Sequence, residues 1–220
     1  MVDQIQDLDS LKKEIAPDKV IEAINILFLD ISSACTGYSI ANVNFTGKQV
    51  KFTKSGAIWL NPNWSHQEKY SYMFGVICNY FWVGEAIDYI VVEQYSVNPK
   101  KMMGINVVSE MQGAIKAAAW ENGVKVTSVL PQTWRKHLQI KRNSEGDFKQ
   151  PTKDKVLTYV KVPEESISNI TGSSRTTPTD LYDALAIGIA WLIKLGFDDT
   201  KMKFDDMKFN DHIGRQLGRD

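Results

Sequence analysis

The stretch PTDLYDALAIGIAWLI, residues 178–193, constrains the fold more than any other part of the chain. Leu185, Ile187, Ile189, Trp191 and Leu192 spread apolar side chains round the whole circumference of a helix, and such a helix must be packed on several sides. Two carboxylates, Asp180 and Asp183, stand at its mouth, three residues apart and hence on one face. Thr177-Pro178-Thr179-Asp180 has the form of a capping box, with Thr177 as N-cap, Pro178 at the first helical position and Asp180 at N3. Capping, together with the helix dipole's preference for acids in a first turn, accounts for Asp180 alone. Asp183 needs another reason, and a ligand shared with Asp180, such as a metal ion, supplies one.

Two more carboxylates end apolar runs. Ile26-Leu27-Phe28-Leu29 reads as a buried central strand and stops at Asp30; Tyr89-Ile90-Val91-Val92 repeats the pattern and stops at Glu93. A polar residue at a strand end ordinarily marks only the sheet's exit to solvent. In an α/β sheet, however, sites gather outside the carboxyl ends of strands, so Asp30 and Glu93 on adjacent parallel strands would reach each other and the helix pair. Four carboxylates together repel unless cations hold them. An all-oxygen donor set selects Mg²⁺, with Mn²⁺ able to substitute, over zinc. The chemistry suited to such a cage is two-metal phosphodiester cleavage, with ions about 3.5 to 4 Å apart.

The remaining chain supplies the frame. Residues 9–24 read as an amphipathic helix or helix pair broken near Pro17, followed by the Asp30 strand, an alternating strand at 38–43 and a third near 55–60. Ser65 and Glu68 form a capping box for a helix to about Trp82. After the Glu93 strand, a helix from Ile105 ends at Gly123, Val124–Val129 alternates as a strand, Pro131 starts a short helix, and another is expected from about Thr152 to Val160. This order predicts a mixed α/β sheet of about five strands with helices on both faces.

Basic residues cluster downstream of Glu93. The loop QYSVNPKKMMG carries Tyr95, Lys100 and Lys101, a composition suited to phosphate contact and base stacking. Arg135, Lys136, Lys141, Arg142 and Lys153 follow. Lys153, in the first turn of its expected helix, opposes the dipole, and that is easier to understand if it meets a phosphate. The chain's net charge is zero, yet residues 26–197 hold eighteen bases against fourteen acids, so an acidic substrate is permitted. Cys35 and Cys78 lack metal-ligand spacing and read as free thiols. Neither a membrane span nor a signal peptide is evident, which predicts a cytoplasmic protein without membrane contact, in the host cytoplasm if the source is a virus.

ILFLDISSACTGYSI, IVVEQYSVNP, SEMQGAIKAAA, LPQTWRKHL, PTKDKV and DLYDALAIGIA, in this order over residues 26–195, resemble the RuvC family of Holliday junction resolvases, of the ribonuclease H-like superfamily. The resemblance implies a ribonuclease H-like fold, metal ligands at Asp30, Glu93, Asp180 and Asp183, an active-site lysine at Lys153 and a DNA-contacting base at Arg135. It also implies a homodimer, with the 105–122 helix in its interface, that cuts four-way DNA junctions symmetrically. Ile31-Ser32 stand where the family commonly has Pro-Gly, and the aromatic side chain that many members insert at the junction centre falls near Tyr95 or Ser96. On this reading residues 1–25 are a helical extension, 26–195 the nuclease domain and 196–220 a polar tail, while KRNSEGDFKQ is an addition to the common core. The competing function is a branched-DNA binding protein without catalysis. An actin-like ATPase, suggested by Thr36-Gly37-Tyr38 after Asp30, is disfavoured by a chain too short for two such domains.

Overall fold

The computed structural model describes residues 7–15, 21–94, 102–163, 167–170 and 179–204. Its central strand is β1 (Ala23–Asp30), antiparallel to β2 (Cys35–Asn44) on one side and parallel to β4 (Tyr89–Glu93) on the other. β3 (Gln49–Trp59) continues the meander from β2, and β5 (Lys125–Val129) pairs with β4 in parallel. These are the five expected strands, and two short ones extend them. β6 (Ile167–Ile170) and β7 (Met202–Phe204) both add in parallel to the outer edge of β3, giving a mixed seven-stranded sheet. Runs of four and three residues inside polar sequence carry too little alternation to be read as strands.

Alternation along β1 divides the core into two layers. Ile24, Ile26 and Phe28 join one apolar cluster, whereas Leu27, Leu29 and Ile31 join another. The first cluster contains α1 (Leu8–Ile15), α4 (Pro131–His137), α5 (Lys149–Tyr159) and α6 (Asp180–Lys194); the second contains α2 (His66–Gly75), the π-helical Val76–Val83 and α3 (Met102–Glu121). Both faces being covered, β1 is apolar without a break from Ile26 to Leu29 and turns polar at its end. The same alternation in β4 sends Tyr89 and Val91 to the α6 layer. Asp30 and Glu93, two residues beyond Phe28 and Val91, therefore belong to that face as well.

α6 lies almost directly on the sheet. Trp191 stacks on Tyr89, with ring centroids 5.7 Å apart, and meets Phe28 edge-on at 6.1 Å; such pairs add about 0.5–1.5 kcal/mol beyond area burial. Gly188 permits the approach, because a Cβ there would stand 2.9 Å from the Phe28 ring. Gly37 in β2 does the same at the other end, where a Cβ would stand 2.0 Å from the Asp180 carbonyl oxygen. Its backbone is not left-handed, so closeness alone, and no turn, demands glycine at this position.

Several local expectations hold and several shift. The Ser65 capping box forms in both directions, with Ser65 Oγ accepting from the Glu68 N–H at 3.2 Å and Glu68 Oε2 accepting from the Ser65 N–H at 2.7 Å. Gly123 closes α3 at φ +68°, and both cysteines are free thiols. The capping box predicted for α6 is corrected: its N-cap is Thr179, which makes no side-chain cap bond, and Asp180 is the first helical residue. Thr177 and Pro178 lie outside the described residues. α5 starts at Lys149 instead of near Thr152, because Asp147 Oδ1 accepts the Lys149 N–H at 2.8 Å and Pro151 falls in the first turn, where its missing N–H is unneeded. β1 begins at Ala23, Leu11 of α1 is wholly buried, and β7 extends the sheet to Phe204. Among the described residues, no helix is long and apolar enough to cross a membrane.

Candidate metal centre

Parallel pairing of β1 with β4 sets Leu29 beside Val92, and so brings Asp30 and Glu93 out at the same end of the sheet. Across β1, Asp30 pairs with Gly37 of β2. The α6 N-terminus rests on Gly37 and thereby delivers Asp180 and Asp183 to Asp30. One carboxylate oxygen from each of Asp30, Asp180 and Asp183 lies within 4.8 Å of the others. Glu93 stands beside this trio and is held by donors. Trp134 Nε1 donates to Glu93 Oε1 at 2.8 Å, the Arg135 guanidinium lies 3.6 Å from the same oxygen, and Gln112 Nε2 donates to the Glu93 main-chain carbonyl at 2.8 Å.

Crowding shows in the acids' proton affinities. Burial first, then the charges of Glu93, Asp183 and Asp180, push Asp30 well above the usual carboxylate range. Asp183 is pushed up to about 7 by burial and by Glu93, with Arg135 and Lys149 opposing. A divalent cation bound by carboxylate oxygens offsets this penalty, so the donor set fits Mg²⁺ or Mn²⁺. Cys35, beside Asp180, is pushed up by burial and that acid's charge, and so stays a neutral thiol.

A sign follows for stability. Groups whose folded pKa exceeds the unfolded value of about 3.9 stabilise the fold below that pH and lose the contribution as pH rises through the folded pKa. In EDTA the melting temperature is expected to fall between about pH 5 and pH 8. Glu68, lowered by its bonds to Ser65, acts in the opposite sense only below its ordinary range. Added Mg²⁺ competes with those protons, so it should raise the melting temperature more at the alkaline end. Thermal unfolding with and without Mg²⁺ measures both slopes, and a flat EDTA profile would contradict the crowding.

The basic residues separate on inspection. Lys149 Nζ is 3.8 Å from Asp180 Oδ1, whereas Lys153 Nζ lies over the Tyr182 ring, 5.3 Å from its centroid. With α5 starting earlier than expected, Lys149 takes the first-turn position and Lys153 moves to the second turn. Arg135 lies over the Trp134 and Phe148 rings at 4.4 and 4.8 Å, and Arg142 over Phe148 at 5.1 Å. Lys136 and Lys141 are exposed. Tyr95, Lys100 and Lys101 lie outside the described residues. Sequence reasoning missed Trp134, Lys149 and Gly37. Lys149 lies among the basic residues that run from Arg135 to Lys153 and Trp134 just before them, but only the fold shows which of these side chains face the acids.

A mixed sheet that opens on an antiparallel meander, continues in parallel strands and is covered by helices on both faces has the ribonuclease H-like architecture. Neither a family model nor a curated protein matches the sequence. Solved structures do match the fold. Thermus thermophilus RuvC in complex with a Holliday junction substrate superposes with a TM-score of 0.54 at 15% identity, covering 79% of this chain and 97% of that one. The yeast mitochondrial Holliday junction resolvase Ydc2 gives 0.52 at 13% identity, over 85% and 86% of the two chains. Fowlpox virus resolvase with substrate Holliday junction DNA gives 0.51 at 16%, over 79% and 99%.

Proposed function

We propose that this protein is a Mg²⁺-dependent, structure-selective endodeoxyribonuclease that resolves four-way DNA junctions as a homodimer. The convergence of Asp30, Asp180 and Asp183 within 4.8 Å at one end of the sheet, with Glu93 alongside, carries the reading. These four residues hold the metal, and Mn²⁺ substitutes for Mg²⁺. Bound ions there supply an activated water and stabilise the leaving oxygen. The chain's own residues do the rest. Trp134 and Arg135 fix the Glu93 carboxylate, while Lys149, Lys153 and Arg135 offer positive charge beside the acids for the scissile phosphate. Tyr95, Lys100, Lys101, Lys136, Lys141 and Arg142 contact the flanking strands. The similar fold of RuvC and of the fowlpox resolvase, both solved with junction DNA, supports a branched substrate.

The test is a cleavage panel on labelled four-way, fork, flap and duplex DNAs in Mg²⁺ and in Mn²⁺, with the oligomeric state read by sedimentation. Paired nicks at symmetric positions in four-way junctions, made by a dimer, are expected. Equal cutting of plain duplex would defeat structural selectivity. Tight junction binding without nicking in either metal would instead make the protein a non-catalytic branched-DNA binder.

A further inference from the structure

We infer that Phe148 is a positioning residue that stations Arg135 and Arg142 beside the metal centre for the phosphates of the bound strand; the inference rests on the nuclease reading above. Composition marks residues 141–150 as a polar loop, but the fold makes it a closed device. The Asn143 N–H donates to the Asp147 carbonyl at 3.0 Å, and the Asp147 N–H donates back to Asn143 Oδ1 at 3.0 Å. Gly146, at φ +83°, turns the chain between them. Asp147 Oδ1 then accepts the N–H of Lys149, the first residue of α5. The residue squeezed between closed turn and helix is Phe148, half-buried against the α6 layer of the core.

Two guanidinium groups meet that one ring, Arg135 at 4.8 Å and Arg142 at 5.1 Å. Each gains from the ring's quadrupole, by an amount that grows as the site is desolvated. Gathering two like charges is unfavourable by itself, and an anion between or above them removes the conflict. Arg135 has further signs of being held for use. Its side chain is 24% exposed, Glu93 lies at 3.6 Å, and its Nε is buried without a hydrogen-bond partner. A planar fork fixed by stacking on aromatic faces is pre-organised for bidentate phosphate contact. The ring therefore links the added loop to the acids through Arg135.

The experiment compares Phe148→Ala, Phe148→Leu and Phe148→Tyr with the unaltered full chain. Junction binding is measured in Ca²⁺, with cleavage blocked, as a function of salt; kcat and KM are measured in Mg²⁺. Each phosphate contact contributes about 0.9 to the slope of log affinity against log salt. Phe148→Ala and Phe148→Leu should flatten that slope by about one to two contacts and lower kcat about tenfold to a hundredfold, while Phe148→Tyr restores both. Leucine restores packing but not the ring's charge distribution. Full recovery with leucine, or an unchanged slope in alanine, overturns the inference. If the unaltered protein neither binds nor cuts junctions, the nuclease reading falls, and the positioning role falls with it.

Discussion

Asp183→Asn should abolish junction cleavage and, in the absence of metal, make the protein more stable. The two effects share one cause. Asp183 is pushed up to about 7 because burial and the neighbouring Glu93 and Asp180 penalise its charge. At about pH 8 the ionised side chain is therefore a net cost to the metal-free fold. Asparagine keeps the shape and removes the charge, so the melting temperature in EDTA should rise. The same removal deprives a cation of an oxygen ligand and its compensating charge, and losses on the order of a thousandfold or more in kcat are expected when a centre of this type loses such a group. Asp30→Asn should behave alike, since Asp30 is raised by the same neighbours. The measurements are Mg²⁺-dependent nicking of a four-way junction and paired melting curves in EDTA. A variant that still cuts at the unaltered rate would remove Asp183 from the centre; one less stable in EDTA would show that the charge is paired and not crowded.

Gly37→Ala should damage the site without touching any carboxylate. The added Cβ would stand 2.0 Å from the Asp180 carbonyl oxygen, 2.5 Å from its carbon and 3.1 Å from the Leu181 nitrogen. Carbon and oxygen ordinarily stay about 3.3 Å or more apart, and all three atoms are backbone, so no rotamer change relieves the clash. The first turn of α6 must lift by roughly an ångström, and overpacking of this kind costs about 1–3 kcal/mol. Because Asp180 and Asp183 ride on that turn, the same displacement should reduce cleavage about a hundredfold. It should also shrink the Mg²⁺-induced rise in melting temperature. Circular dichroism and melting establish that the variant folds; a full Mg²⁺ response in the folded variant would show that the close approach does not set the acids' spacing.

The sequence discloses the four acids because each ends or begins a long apolar segment, and such segments are read from local pattern. It also discloses β1 and β4 as buried strands through their unbroken apolar runs, while their parallel pairing is seen only in the fold. What stays hidden depends on pairings between distant residues. The identity of the lysine beside Asp180 turned on where α5 starts, and that depended on Asp147 accepting the first N–H of a helix whose third residue is proline. The close seating of the α6 end on Gly37 is equally invisible, because it joins β2 to a residue more than a hundred positions away. β6 and β7 are too short to announce themselves, since they gain their order from the edge of β3. Trp134 reads as an ordinary core residue until its indole is seen to reach Glu93.

The parallel pairing of β1 with β4, and the seating of α6 on both, bear on how the chain matures. Its carboxylates come from three places separated by most of the polypeptide, so the cage cannot exist until the longest loops have closed, the slowest contacts to form in folding. The β1–β2–β3 meander can assemble earlier from local contacts, yet it contributes only Asp30. An incompletely folded or prematurely ended chain therefore has no cage in which to bind metal. On the proposed nuclease reading, competence arrives last, together with the finished tertiary structure.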